Sequence, residues 1–376
     1  MKILALEPYH GGSHKAFLGG WSSNSRHQWT VLGLPAYKWK WRMRHAAITF
    51  ADQVAQLLRS GANWDLIYCS DMLNLAEFMG LVPPEMRNMP TLAYFHENQL
   101  TYPVRFETDR DFHYIIGNMV TALAAKRVWF NSAYHRDSFL DGLPAFLKRM
   151  PDYQPFDAVD RIRAKSDIRP QGVQEFPKRI ERMPGPIRIL WAARWEHDKN
   201  PDAFFLALKS LKLSGVDFRI SVIGEQFRER PPIFDWARQY FFHHIDRWGF
   251  QESRQDYEEA LQQYDEALSE ADVFVSTANH EFFGITAVEA IAAGAYPLLP
   301  KRLAYPEILD TKIAGDVSGF FYENEADGLA QRLCELAAAL TKGDLWQGDA
   351  ERAKRATARF SWKKLTPILD EAIESL

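Results

Sequence analysis

Two acids eight residues apart, Glu281 and Glu289, bracket a Phe282-Phe283-Gly284 turn that runs into a small-residue helical stretch, Ile285 to Gly294. Gly284 falls where that helix begins. Without a Cβ it lets the amides of the first turn approach an anion, and the positive end of the helix dipole favours the charge. Glu289 lies roughly 7.5 Å further along the axis, a placement suited to accepting hydrogen bonds from ribose hydroxyls, and Glu281 in the loop would reach a sugar. The bland alternative is a strand-loop-helix unit with solvated glutamates. About ninety residues earlier, in Trp191-Ala-Ala-Arg194-Trp-Glu-His-Asp-Lys199-Asn-Pro, two cations can converge on a leaving diphosphate and neutralise charge as a glycosidic bond breaks.

The first half carries two more candidate loops. Glu7-Pro-Tyr-His-Gly11-Gly12-Ser13-His14 follows an apolar run, and its paired glycines permit a tight turn near donor phosphates or an acceptor. Phe95-His96-Glu97-Asn98-Gln99 follows another. The stretch Tyr37-Lys38-Trp39-Lys40-Trp41-Arg42-Met43-Arg44-His45 alternates cations with aromatics. Cations meet phosphates and aromatic faces stack on unpaired bases, which suits an RNA loop; an edge strand with Trp inward and Lys and Arg outward reads equally well. No metal-ligand set is evident. His243 and His244 are adjacent on an expected helix and diverge by about 100 degrees, so Arg194, Lys199 and the helix start are expected to hold the diphosphate without a divalent ion.

Such loops must be carried by strands, and short aliphatic runs alternate with helical patterns throughout, the pattern of parallel strands joined by crossover helices. The runs are Ile3–Leu6, Trp29–Leu32, Leu66–Cys69, Leu92–Phe95 and Val128–Phe130, then Ile187–Ala193, Phe218–Ile223, Val273–Ser276 and Tyr296–Leu299. Between the two sets, Pro144 to Pro186 loses periodicity and reads as an acceptor-side excursion followed by a linker. The length suggests two domains. The reading is an α/β chain of two doubly wound, Rossmann-like domains facing each other across a ligand cleft, at 1–180 and 181–360, with a C-terminal helix over 361–376 packing back on the first.

Composition narrows the function classes. The 47% hydrophobic and 25% charged content describes a packed globular protein. No apolar run approaches the roughly 20 residues of a membrane span, and two cysteines without neighbouring ligands fit a reducing compartment, so a cytoplasmic enzyme with no membrane partner is expected. A net charge of −4 argues against bulk nucleic-acid binding, yet residues 1–188 carry 24 Lys and Arg against 18 acids while 189–376 carry 21 against 31. The first half is the better polyanion surface.

The second-half residues resemble family 4 glycosyltransferases. Glu281 and Glu289 match that family's Glu-x7-Glu motif, in which the first acid contacts the transferred sugar and the second the ribose, with Phe282, Phe283, Gly284 and Ile285 between them. Arg194 and Lys199 match its Arg-x4-Lys, although Asn200 stands where the family has glycine. By the same resemblance Gly224 is the strand-terminal glycine, Gly249-Phe250 with Tyr257 holds the base (or is core), and His96 lies against the donor sugar (or is a buried histidine). The ordered set EPYxGGSH, KWKWRMR, SDMLNLAEF, FHENQLTYP, FNSAYHRDSFL, AARWEHDKNP, STANHEFFG and YPEIL resembles the tRNA-queuosine mannosyltransferases from residue 1 to about 325. That resemblance implies a retaining, metal-independent transfer of mannose from GDP-mannose to the cyclopentenediol of queuosine at the wobble position of the aspartate tRNA. It implies His96 and Glu281 as catalytic residues, and Gly12, Arg194, Lys199, Gly224, Phe250 and the 282–289 segment on the donor. Ser13, His14, Lys38, Trp39, Lys40, Trp41, Arg42, Arg44, Asn98 and Gln99 would face the anticodon loop. Two other readings stay open: a family 4 transferase with a carbohydrate or small-molecule acceptor, and a non-catalytic RNA-binding protein on a transferase fold.

Overall fold

The structure, a computed structural model, describes residues 1–376 except 177–181, 183, 228, 250–256, 311, 313, 314, 347 and 350, and only the backbone of 257–261. It forms two units, Met1–Gly172 joined by Trp362–Leu376, and Val173–Ser361. The division falls before residue 180, and the terminal helix belongs to the first unit.

Unit 1 is built on a parallel sheet of β1 (Lys2–His10), β2 (Gln28–Pro35), β3 (Leu66–Ser70), β4 (Thr91–Phe95), β5 (Arg127–Phe130) and β6 (Ser166–Ile168), in the order β2-β1-β3-β4-β5-β6. Unit 2 repeats the plan with β7 (Ile187–Ala192), β8 (Phe218–Ile223), β9 (Ile245–Gly249), β10 (Val273–Val275), β11 (Tyr296–Pro300) and β12 (Phe321–Tyr322), ordered β12-β11-β10-β7-β8-β9. Strand order reverses between β1 and β3 in one sheet and between β7 and β10 in the other. Beyond the carboxyl ends of strands at such a reversal, crossover helices diverge and leave a crevice.

Burial on both faces explains why the central strands read as unbroken apolar runs. Along β1, Leu4 and Leu6 join one core with the helix Trp39–Arg59, while Ile3 and Ala5 join another. That second core is closed by the helices Gly12–Asn24 and Trp362–Glu374, which bury Trp21, Trp362, Leu365 and Leu369 against Tyr68, Tyr94 and Trp129. Buried Asp370 fixes the join by accepting from Trp21 Nε1 at 2.8 Å, Ser25 Oγ at 2.8 Å and the Arg26 amide at 2.9 Å.

Two expectations change. The basic aromatic stretch is not an edge strand: from Trp39 on it forms the first turns of the helix Trp39–Arg59, with Lys38 in the left-handed region (φ 53) as its N-cap. Nor is Pro144 to Pro186 all excursion and linker. The helix Ala133–Leu147 runs through Pro144, and the helix Asp157–Arg163 and edge strand β6 complete unit 1. Short edge elements expose one side, so their apolar periodicity is weak. Among the described residues, no helix is long and apolar enough to cross a membrane.

Candidate active site

The chemistry-bearing loops of unit 2 leave the two strands at its switch point. After β7, the chain makes a 3-10 turn at His197–Lys199, and Asn200 caps the helix Pro201–Leu213 by accepting from the Ala203 amide. After β10 comes the loop to Gly284, left-handed at φ 89, and the helix Ile285–Ala292. Thr277 Oγ1 ties the loops together, donating to the Lys199 carbonyl at 2.8 Å, and the Asn279 amide reaches the Asp198 carbonyl at 2.7 Å.

Lys199 lies between them, 7% exposed. Its Nζ is 2.8 Å from the His280 carbonyl, 3.2 Å from Asp198 Oδ2 and 3.3 Å from Glu281 Oε2. The first and last are hydrogen bonds, and the Asp198 contact is an ion pair. In this state the lysine braces the acid-bearing loop. Desolvation pulls its pKa down, but the Glu281 and Asp198 carboxylates outweigh that and raise it, so it stays charged. Burial, with Lys199 close by, holds His280 down to about 4, a neutral ring. Arg194 is half-exposed, paired with Glu196 at 3.2 Å, and its charge is felt by Lys199. Glu281 and Lys199 are in direct contact, and Arg194 lies near enough for its charge to act on Lys199.

Glu289 is half-buried one turn into the helix and accepts from Tyr264 Oη at 2.6 Å. Burial pushes its carboxyl up to about 7 against the opposing effect of that hydrogen bond. Because the folded chain then holds the proton more tightly than the unfolded chain, this group's contribution to stability is full below about 4.5 and lost as pH rises through 7. Gly224 (φ 145) ends β8 so close to β7 that a Cβ would lie 1.8 Å from the Ala193 carbonyl oxygen. Phe282 and Phe283 are interior side chains, 6% and 5% exposed, so it is their backbone that borders the loop. Ile285 opens the helix. Phe250 lies outside the described residues, as does the side chain of Tyr257.

In unit 1, the loops after β1, β3 and β4 meet. Buried Glu7 accepts from the Tyr9 amide and from Ser70 Oγ, both at 2.9 Å, and faces His14 Nδ1 at 3.2 Å. Desolvation opposes charge on His14, but Glu7 overrides it and raises the pKa to about 9, so the two form an internal ion pair. The His14 ring stacks on His96. Burial holds His96 well below its ordinary pKa and pushes neighbouring Asp71 up. Gly12 and Ser13 are exposed at the start of their helix. Asn98 is fully buried and caps a turn by accepting from the Thr101 amide, while Gln99 is buried against Glu97 at 3.0 Å; both shape the loop from inside instead of presenting to an acceptor.

The basic helix start is sorted by its 3.6-residue period. Trp39 turns in against Tyr114, ring centroids 5.1 Å apart, and Arg42 is engaged with the Pro35 carbonyl and His45. Lys38, Lys40, Trp41 and Arg44 are exposed, the last with its guanidinium 4.9 Å from the Tyr114 ring centre.

Sequence reasoning missed Asp198, Arg302 and Tyr264. Arg302 braces the acid loop through the Ala278 carbonyl and Asn279 Oδ1 and pairs with Glu325 at 2.7 Å. Only its position just before the quoted YPEIL segment could have signalled it. A separate cavity of about 230 Å³, lined by Tyr296, Arg332, Trp346 and Arg352, opens at the amino end of β11, away from these loops.

The sequence and the fold both match known transferases. Residues 173–339 match the family described as glycosyl transferases group 1. Over the whole chain, the fold matches sucrose-phosphate synthase from Thermosynechococcus elongatus (TM-score 0.68, 14% identity, 98% of that chain) and a glycosyltransferase from Rickettsia africae (0.66, 16%, 97%). The catalytic domain of starch synthase IV from Arabidopsis thaliana, bound to ADP and acarbose, matches equally (0.63, 11%, 98%). The chain is a glycosyltransferase of the α/β GT-B class. Its first 172 residues are more specific: residues 2–173 match the family described as tRNA-queuosine alpha-mannosyltransferase N-terminal. A Drosophila melanogaster protein, the tRNA-queuosine alpha-mannosyltransferase, is 36% identical over 318 residues, 81% of each chain. The chain belongs to the tRNA-queuosine alpha-mannosyltransferase family.

Proposed function

We propose that this chain transfers mannose from GDP-mannose to the cyclopentenediol of queuosine at the wobble position of tRNA-Asp, with retention of configuration. What carries the reading is the 36% identity to the Drosophila enzyme over 81% of the chain, with the match of residues 2–173 to the tRNA-queuosine alpha-mannosyltransferase N-terminal family beside it. On unit 2, the amides at Gly284 and Ile285 and the cations Arg194 and Lys199 hold the diphosphate; Glu281 takes the sugar and Glu289 the ribose. As the anomeric bond loosens, charge grows on the leaving phosphate, whose oxygen accepts the proton of the attacking hydroxyl on the same face. No divalent ion is called for. On unit 1, Lys38, Lys40, Trp41 and Arg44 present the charge and ring surface for the anticodon arm.

The test is mass spectrometry of tRNA nucleosides after incubation with several nucleotide sugars, using queuosine-containing and unmodified tRNA. Mannosyl-queuosine from GDP-mannose alone is expected. Transfer only to free sugars would reject the RNA acceptor, and no donor turnover at all would reject the enzyme.

Two further outcomes follow from the same assignment. Replacing Lys38 and Lys40 by Ala should make the slope of log affinity against log salt for tRNA shallower by about 1 to 2, each phosphate contact releasing roughly one counterion. Affinity for GDP-mannose should stay unchanged. The Glu289 carboxyl, pushed up to about 7, is ionised in a decreasing fraction of molecules as pH falls, and only the carboxylate accepts from both ribose hydroxyls. Equilibrium affinity for GDP-mannose, whose diphosphate does not titrate there, should weaken between about pH 8 and 6. Glu289→Gln should flatten that dependence.

A further inference from the structure

His96 lies just past the carboxyl end of β4, and all of it except one ring nitrogen is held. Its amide donates to Asp71 Oδ1 at 2.8 Å, and its carbonyl accepts from Asn131 Nδ2 at 2.9 Å. The ring stacks on His14 with centroids 4.0 Å apart and planes at 27°, and meets Phe17 edge-on at 5.4 Å. Nδ1 is 2.8 Å from Gln171 Nε2. Nε2 is buried and finds no hydrogen-bond partner among the described residues.

An amide NH2 can only donate, so Nδ1 must accept from it, and the single proton of a neutral imidazole then resides on Nε2. The surroundings agree. Gln171 carries no charge that would draw a proton to Nδ1, and the His14 imidazolium in stacking contact opposes a second positive ring. A buried N–H without a partner is unfavourable, and such an orphan calls for an explanation. We propose that Gln171 is a positioning residue that fixes His96 as the Nε2–H tautomer, making it a hydrogen-bond donor to an oxygen of the substrate. Naming that oxygen as part of a sugar rests on the function proposed above; the tautomer does not.

Gln171 is itself held in place. It is 75 residues from His96 in sequence, buried, and followed by Gly172, where a Cβ would lie 2.5 Å from the Trp362 indole. Packing against Trp362 therefore sets the backbone that delivers the amide. The same assignment leaves no lone pair for a competing chemistry. Glu7, His14 and His96 place one potential metal-ligating atom each within 4.8 Å of one another, but His96 Nδ1 accepts from Gln171 and Nε2 carries the proton, so neither ring nitrogen is free to ligate. Stacked rings also direct their in-plane lone pairs side by side and not toward a common point.

The experiment uses the full chain labelled with 15N in histidine, the His96 signal being identified by its loss in His96→Gln. The wild type is expected to show Nε2–H, unaltered by added zinc. Gln171→Met, similar in length and without a donor, should give a mixture of tautomers. Gln171→Glu should move a proton to Nδ1, and kcat for transfer to queuosine-containing tRNA should fall on the order of 10²-fold, with KM for tRNA within about twofold. An Nδ1–H wild type, a tautomer indifferent to Gln171→Met, or zinc-shifted ring signals would overturn the assignment. If the tautomers respond as expected while the wild type transfers no mannose to tRNA, the proposed reaction fails and the Gln171 assignment stands.

Discussion

Lys199→Met is expected to lower turnover with GDP-mannose by on the order of 10²- to 10³-fold. The substitution removes a cation from the place where the leaving diphosphate gains charge. It also leaves Asp198, 5% exposed, and Glu281 as two acids without their shared partner. Stranding a buried carboxylate costs about 3 kcal/mol or more, so the melting temperature should fall as well. Lys199→Arg separates the effects, because it restores the charge to Asp198 while presenting a fork too bulky for the His280 carbonyl contact. Stability should recover further than activity. Steady-state kinetics beside thermal unfolding of each variant make the comparison, and a Lys199→Met enzyme that unfolds early yet turns over normally would reduce this lysine to a brace.

Gly224→Ala should be the more damaging change, although it adds one methyl group. The added carbon would stand 1.8 Å from the Ala193 carbonyl oxygen, and φ 145 is a conformation that only glycine adopts readily. The clash is with backbone, which cannot swing aside as a side chain could. Relief requires separating β7 from β8, where the Ala193 amide donates to the Ile223 carbonyl at 3.1 Å and the Trp195 amide to that of Glu225 at 2.9 Å. Several kcal/mol of destabilisation is expected, visible as loss of the unit 2 unfolding transition in urea, along with loss of GDP-mannose binding. Gly61→Ala, at a left-handed turn with open space around it (φ 89), is the control. Its cost should be only about 1 kcal/mol.

How legible these features were depends on the distance over which each is encoded. The acid loop could be read because Glu281, Gly284 and Glu289 sit within one strand-loop-helix unit, where spacing alone fixes relative position. The central strands could be read because both faces are buried. β6, β9 and β12 were missed, each lying at the outer part of its sheet where one pairing partner or one covering layer is lacking. The residues that complete the sites were illegible for another reason. Tyr264 meets Glu289, Arg302 meets Asn279 and Gln171 meets His96 across 25, 23 and 75 residues, and nothing local announces those meetings. The basic segment was misread because Lys38 starts the helix from a left-handed conformation rare for lysine, so no Ser, Thr, Asp or Asn marked the start.

The helix Trp362–Glu374 closes one wall of unit 1, yet all of Val173–Ser361 is translated before it. A nascent chain emerging from the ribosome therefore presents this face of the first sheet covered by the helix Gly12–Asn24 alone, without Trp362, Leu365 and Leu369, until unit 2 has been made. The two halves cannot mature in simple N-to-C order: the earlier one waits, partly open, for a piece delivered after its neighbour.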